Sequence, residues 1–257
     1  MQFPDLTIFP EFAYDTETTG LNPMAGARVF GFSISTPDGK DYYWDIRKQP
    51  EAVRWFNDQM KVYKGVIVCH NLSFDYRLSH ATGIFFPLEQ SVDTCIQACL
   101  INEHEFSFSL DNLCRKYTTA RKSGQELYDA MAKIFGGRAT RNVQMKRIAD
   151  APVEIVAPYA MDDTRGTLEL YYWQRDEIKR QGLEKIVEFE RSVTPKIIAT
   201  EMHGVRVDIT KAEQAVGKLT EQIHIMQKDL NDIAGFKCNP QHRIVTGKHV
   251  RHASRWR

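Results

Sequence analysis

Asp15 and Glu17 stand two residues apart in the run YDTETTG, Asp75 closes HNLSFD, and Asp163 follows Tyr159 by four residues in YAMDD. Each island is a weak signal alone. Brought to one point, four carboxylates would repel one another and raise each other's pKa values. Cations remove that penalty, and carboxylate oxygens suit hard divalent ions such as Mg2+ or Mn2+. A converged set would therefore be a divalent-metal site. Tyr159, one helical turn before Asp163, could hold a water there by hydrogen bond and orient an attacking hydroxide.

Several elements must position these groups. EFAYDTE reads as a strand, and its period of two places Asp15 and Glu17 on one face and Tyr14 and Thr16 on the other. The turn TGLNP leads to a second strand, RVFGFSIST. The turn PDGK leads to a third, DYYWDI, so an antiparallel meander is expected. Residues 51–61 show helical spacing through Val53, Phe56 and Met60. GVIVCH is a short apolar strand of the kind buried on both faces. Asn71 is expected to cap the helix LSFDYRLSHAT, which ends on Gly83. Asp75 then lies about one turn into that helix.

SVDT is another short strand, and from Thr94 onward the pattern is mostly helical. Residues 118–150 read as a loop, the helix GQELYDAMAKIF and a second loop. Pro152 and Pro158 punctuate the approach to a long helix beginning at YAMDD. Two further helices are expected over 183–203 and 210–234, divided by HGVRVDIT, with Asp208 or Thr210 capping the second.

With 257 residues the chain has room for one large domain, or for a domain with a helical appendage. The net charge of +1 carries no global sign of nucleic-acid binding. Its distribution is uneven: residues 237–257 hold six of the 34 Lys and Arg and none of the 33 acids. This tail is either disordered or a nucleic-acid contact. Arg115, Lys116, Arg121, Lys122, Arg138, Arg141, Lys146 and Arg147 form a second basic group, either a solvated face or a phosphate track. The five cysteines include no C-x-x-C pair, so zinc spacing is absent, and Cys95 and Cys99 read as small core residues. No signal peptide or membrane-length apolar run is visible, so a cytoplasmic protein with no membrane partner is expected.

Together the three acidic islands resemble the three exonuclease motifs of the DEDD superfamily of 3′–5′ exonucleases. The patterns D-x-E, N-x-x-(F/Y)-D and Y-x-x-x-D are met by Asp15 and Glu17, by Asn71, Phe74 and Asp75, and by Tyr159 and Asp163, in that order. SVDTCIQACLI and SLDNLCRKY are similar to helices of the proofreading domain of family A DNA polymerases, and EFERSVTPKIIATEMHGVRVD to the segment that follows it. Phage-encoded members are the most similar. The histidine variant of the superfamily has His five residues before the last Asp. Pro158 stands there, so the tyrosine variant is implied.

The resemblance implies an α/β fold with a ribonuclease H-like mixed sheet flanked by helices. It also implies an exonuclease domain over 1–182, a helical extension over 183–236 and a basic tail over 237–257. Two divalent metal ions, Mg2+ or Mn2+, are implied: Asp15 bridges both, Glu17 and Asp163 complete one site, and Asp75 serves the other. Tyr159 would position the nucleophilic water. Thr18 would hydrogen-bond the terminal sugar, and Asn71 and Phe74 would contact the terminal nucleotide. Leu21 would wedge against the terminal base, unless it folds onto the core as a turn leucine. The implied partner is single-stranded DNA or a DNA 3′ end. RNA and a non-catalytic docking role are the alternatives. Too little chain follows for thumb, fingers and palm, so a free-standing exonuclease, a split subunit or a truncated gene product is expected. An apolar stripe (Ile197, Ile198, Val216, Leu219, Ile223, Met226, Leu230) would meet a separately encoded polymerase subunit or a second copy.

Overall fold

Strand β1 (Glu11–Thr18) is the middle of a five-stranded sheet. The computed structural model describes residues 3–120 and 124–238. The other strands are β2 (Val29–Ser35), β3 (Asp41–Asp45), β4 (Val66–Cys69) and β5 (Ser91–Asp93), in the order β3-β2-β1-β4-β5. The expected meander is present: β1 pairs antiparallel with β2, and β2 with β3. β1 pairs parallel with β4, and β4 with β5, so the sheet is mixed.

The two faces of β1 are packed differently. Phe12 and Tyr14 enter an aromatic cluster with Phe32, Trp44, Phe56 and Tyr63, covered by α1 (Glu51–Val62) and α2 (Leu72–Thr82). Phe56 is fully buried, and its ring meets those of Phe12, Tyr14, Phe32 and Phe86 at 5.2–6.4 Å. On the opposite face Ala13 packs with Val68, Val92 and Leu168, the last from the long helix α7 (Val153–Gln181). On β2 this face carries Gly31 and two small residues, Ser33 and Ser35, that let α7 lie close. The Ser33 hydroxyl donates to the Ala160 carbonyl of α7 at 2.9 Å.

Three readings of the sequence need correction. Pro158 is the sixth residue inside α7 rather than a stop before it. Its ring fixes a helical φ and removes one hydrogen bond near the helix start. Burial of Val156, Tyr159 and Ala160 on either side holds the first turns in place. The second loop after α5 (Gly124–Phe135) contains a short helix, α6 (Arg141–Gln144), and a 3-10 turn, Met145–Asp150. Cys95 is only half-buried and Cys99 is exposed. The buried stripe of α3 (Thr94–Ile101) is Thr94, Gln97 and Ala98, one position around the helix from the cysteines.

The 3-10 turn Met145–Asp150 is latched to the sheet by Arg47. Its Nε and Nη2 donate to the two oxygens of Asp45 at 2.9 and 2.8 Å, Nη1 donates to the Ala149 carbonyl, and its guanidinium lies 4.6 Å over the Phe30 ring. These hydrogen bonds hold the Asp45 carboxyl below the usual carboxylate range. A depressed carboxyl stabilises the fold above the unfolded aspartate value of about 4, and that contribution is lost as pH falls through the folded value. Asp45→Asn is therefore expected to lower the urea midpoint at pH 7 and to converge on the unsubstituted protein near pH 2–3. A midpoint difference of equal size at both pH values would contradict the latch.

α4 (Leu110–Tyr117) and α3 pack on α7, with Leu113, Cys114 and Leu170 buried between α4 and α7. The compact unit containing the sheet runs to His203 and includes α8 (Glu184–His203). Ile198 of α8 is buried in the aromatic cluster and Met202 packs against it. The second unit begins at Gly204. Its helix α9 (Ile209–Ala234) is capped by Asp208, which accepts from the Lys211 N–H at 3.1 Å, and ends on left-handed Gly235. No residue of α9 is buried, and Val216, Leu219, Ile223, Met226 and Leu230 recur along it. No helix among the described residues is long and apolar enough to cross a membrane. Most of the basic tail, residues 239–257, lies outside the described residues, as do Arg121 and Lys122.

Candidate metal centre

Asp15, Glu17 and Asp163 converge. One carboxylate oxygen from each lies within 4.8 Å of the others. Asp15 is half-buried, while Glu17 and Asp163 are 5% and 7% exposed. β1 supplies the first two from its α7 face, as its alternation requires. A register irregularity between Glu17 and Thr18 ends regular pairing just past the second acid. Gly31 is the partner of Glu17 across the ladder, and a Cβ there would fall 2.1 Å from the Tyr43 hydroxyl. The Tyr43 ring therefore lies over Gly31. Burial first, and then the Glu17 charge, raise the Tyr43 phenol.

Tyr159 lies one turn before Asp163 on α7, 4% exposed, in a cluster with Phe30, Leu127, Met131, Ile148 and Val156. Burial pushes its phenol well above the usual tyrosine range, and the charges of Asp163, Glu17 and Asp15 push it the same way. At neutral pH it keeps its proton and stays a donor beside the acids.

Asp75 stands outside the three-acid cluster. It is 1% exposed, and its Oδ1 accepts from the Thr16 N–H at 3.0 Å and the Thr16 hydroxyl at 2.6 Å. Thr16 lies between Asp15 and Glu17, so Asp75 is tied to the strand that carries them. Burial pushes the Asp75 carboxyl up to about 7, against the Thr16 hydrogen bonds, which lower it.

Asn71 occupies the N-cap position of α2, but its side chain makes no cap hydrogen bond. Its φ is 69°, the one positive value among the described non-glycine residues. A side-chain cap needs extended backbone at that position. Asp93 caps in its place. Its Oδ2 accepts from the Leu72 N–H at 2.9 Å, and its Oδ1 from the N–H groups of Asn71 at 2.9 Å and Cys95 at 2.8 Å. One carboxylate at the end of β5 thus anchors the starts of α2 and α3. Sequence reading missed Asp93, Thr16 and Ser33. An aspartate directly before the helical run TCIQACLI was the available signal for Asp93.

Leu21 is 80% exposed on the turn after β1, so it does not fold onto the core. The Thr18 hydroxyl donates to the Gly20 carbonyl at 2.9 Å, which leaves its oxygen able to accept. Phe74 packs half-buried against the aromatic cluster, and Asn71 is exposed. Among the basic residues, Lys116 pairs with Glu105 at 2.7 Å and the Arg147 guanidinium lies over the Phe135 ring. Arg138, Arg141 and Lys146 are exposed.

Residues 3–179 match the family model described as 3′-5′ exonuclease, of the DNA polymerase A type. The chain belongs to this exonuclease family. It is 47% identical over 251 residues to DNA polymerase DpoZ of Vibrio phage phiVC8, covering 93% of this chain and 39% of that one. It is 38% identical over 238 residues to DpoZ of Salmonella phage PMBT28, covering 93% and 38%. The exonuclease chain thus spans about two fifths of the polymerases it matches. Brucella melitensis NrnC shares the fold, with a TM-score of 0.56 and 18% identity over 80% of this chain and 91% of that one. So does Pol1 of M. smegmatis, with a TM-score of 0.57 and 17% identity over 92% and 36%. The fold is a ribonuclease H-like α/β fold.

The exonuclease family is metal-dependent, and this acid cluster fits a metal. A cluster of three carboxylates, with no His or Cys in the group, favours a hard divalent cation.

Proposed function

We propose that this domain is a tyrosine-type 3′–5′ exodeoxyribonuclease that shortens single-stranded or frayed DNA 3′ ends and releases 5′-mononucleotides. The carrying observation is the convergence of Asp15, Glu17 and Asp163 at one largely buried point beside the protonated phenol of Tyr159. A pair of divalent cations, Mg2+ or Mn2+, would activate water and offset charge on the phosphodiester when held by these three acids and Asp75. The bond broken links the terminal phosphate to the preceding 3′ oxygen, leaving a shortened chain with a free 3′ hydroxyl. Tyr159 holds the attacking water by hydrogen bond and aims it. The Thr18 oxygen accepts from the terminal sugar hydroxyl, and Leu21 presses on the last base. Asn71 and Phe74 border the terminal nucleotide.

DNA is favoured as substrate because the relatives at 38–47% identity are DNA polymerases. An RNA reading has one observation behind it: NrnC, with this fold, has been seen with pGG. The exposed apolar stripe of α9 supports association with a polymerase-type domain, and self-association is the competing outcome of a sizing experiment. The phage polymerase relatives support a proofreading role in the host cytoplasm.

A 5′-labelled single strand is expected to shorten stepwise with Mg2+ or Mn2+, faster as DNA than as RNA of the same sequence. Mismatched 3′ ends should be cut faster than paired ones. Asp15→Ala should abolish the ladder. Equal ladders from both proteins, or none from either, would sink the proposal.

A further inference from the structure

The residues on both sides of Asp163 are tied to the sheet by a polar clasp of Asp41, Ser35 and Arg165. On β3, Asp41 accepts through Oδ2 from Arg165 Nε at 2.9 Å and from Arg165 Nη2. Arg165 Nη1 donates to Asp162 Oδ1 at 2.8 Å. The other Asp41 oxygen accepts from the Ser35 hydroxyl of β2, and Ser35 is hydrogen-bonded to the Thr164 hydroxyl at 2.8 Å. Asp162, Thr164 and Arg165 are thus all held, directly or through one residue, to Asp41. Asp41 and Asp162 are 12% and 16% exposed at the side chain, and Arg165 is 46% exposed.

We infer that Asp41 and Arg165 are positioning residues for the metal-ligating carboxylate of Asp163. The inference rests on the reading of Asp163 as a metal ligand. Two physical effects follow from the geometry. A helix carrying one ligand has a rotation about its own axis to fix, and Ser33 on Ala160 with the clasp on 162, 164 and 165 fixes it over one turn. Asp162 is a second carboxylate adjacent to the ligand. The Arg165 fork draws it toward Asp41 and offsets its charge, so that Asp163 alone enters the cluster. A planar guanidinium can engage two carboxylates at fixed angles, which an ammonium cannot.

The test is Mn2+ binding by calorimetry, with no DNA present, to the unsubstituted protein and to Arg165→Ala, Arg165→Lys and Asp41→Asn. Arg165→Ala and Asp41→Asn are each expected to weaken Mn2+ binding on the order of 10-fold, the low end for residues supporting metal ligands. Arg165→Lys should fall between. Oligonucleotide KM should stay within about twofold of the unsubstituted protein, while the Mn2+ concentration for half-maximal rate rises with the Mn2+ dissociation constant. Unchanged Mn2+ affinity in both Arg165→Ala and Asp41→Asn overturns the inference. So does a parallel loss of Mn2+ affinity, KM and circular dichroism in both, which marks general unfolding. If Asp163→Asn binds Mn2+ as well as the unsubstituted protein, the metal reading itself fails, a result separate from either.

Discussion

Asp163→Asn is expected to remove metal-dependent hydrolysis while raising the melting temperature of the metal-free protein. Asp163 is 7% exposed and within 4.8 Å of two other carboxylates. A metal site contributes several kcal/mol to transition-state stabilisation, and each 1.36 kcal/mol is tenfold, so a loss of about 10³-fold or more in kcat is expected. The amide is nearly isosteric, so packing around α7 persists. In chelator the substitution relieves repulsion among clustered carboxylates, and stability should rise. Mg2+ or Mn2+ should then raise the melting temperature of the unsubstituted protein, by mass action on the folded state, and leave the variant almost unmoved. Thermal scans in chelator and in metal, beside a single-turnover assay, check both halves. A variant that melts lower in chelator and still responds to metal would mean that the three acids are held by something other than a cation.

Asp93→Ala should cost stability and activity together, although Asp93 is outside the three-acid cluster. Its two oxygens serve the N–H groups of Asn71, Leu72 and Cys95. Losing one helix cap costs about 1 kcal/mol, and here one carboxylate caps two helices, so about 2–3 kcal/mol is expected. Activity should fall further than stability alone explains, because the released segment leads into Asp75. Asp93→Asn is the informative partner. Its amide keeps one accepting oxygen, enough for part of the set, so its urea midpoint should fall between the other two. An alanine variant as stable as the starting protein would show that Asn71 holds its left-handed turn without help.

Much of the site was legible because its acids sit on elements with strong periods. Asp15 and Glu17 share a face since strands alternate, and Tyr159 and Asp163 share one since helices repeat nearly every four residues. The meander was legible from PDGK and the β-branched and aromatic runs around it. What sequence could not supply was long-range pairing. Asp93 reads as a strand-end acid until the fold sets it beside Asn71, 22 residues earlier in the chain. Arg165 reads as one more charge on a helix until Asp41, 124 residues away, meets it. Pro158 misled because a proline's local cost was weighed without the burial of Val156 and Tyr159 that outweighs it. Cys95 and Cys99 misled because residue type was read without knowing which stripe of α3 faces inward.

The division of β1 into an aromatic face and an acidic face bears on how such a chain can change over generations. Phe12 can be exchanged for another large apolar group, with repacking against Phe56, and no carboxylate moves to the other side. Drift in the core and drift in the chemistry are thus largely separate, residue by residue along one strand. Thr16 is the exception. It lies on the aromatic side in alternation and yet holds Asp75 by two hydrogen bonds, so it is the position in β1 where neither kind of variation is free. A lineage of this domain would be expected to vary around that threonine and to keep it.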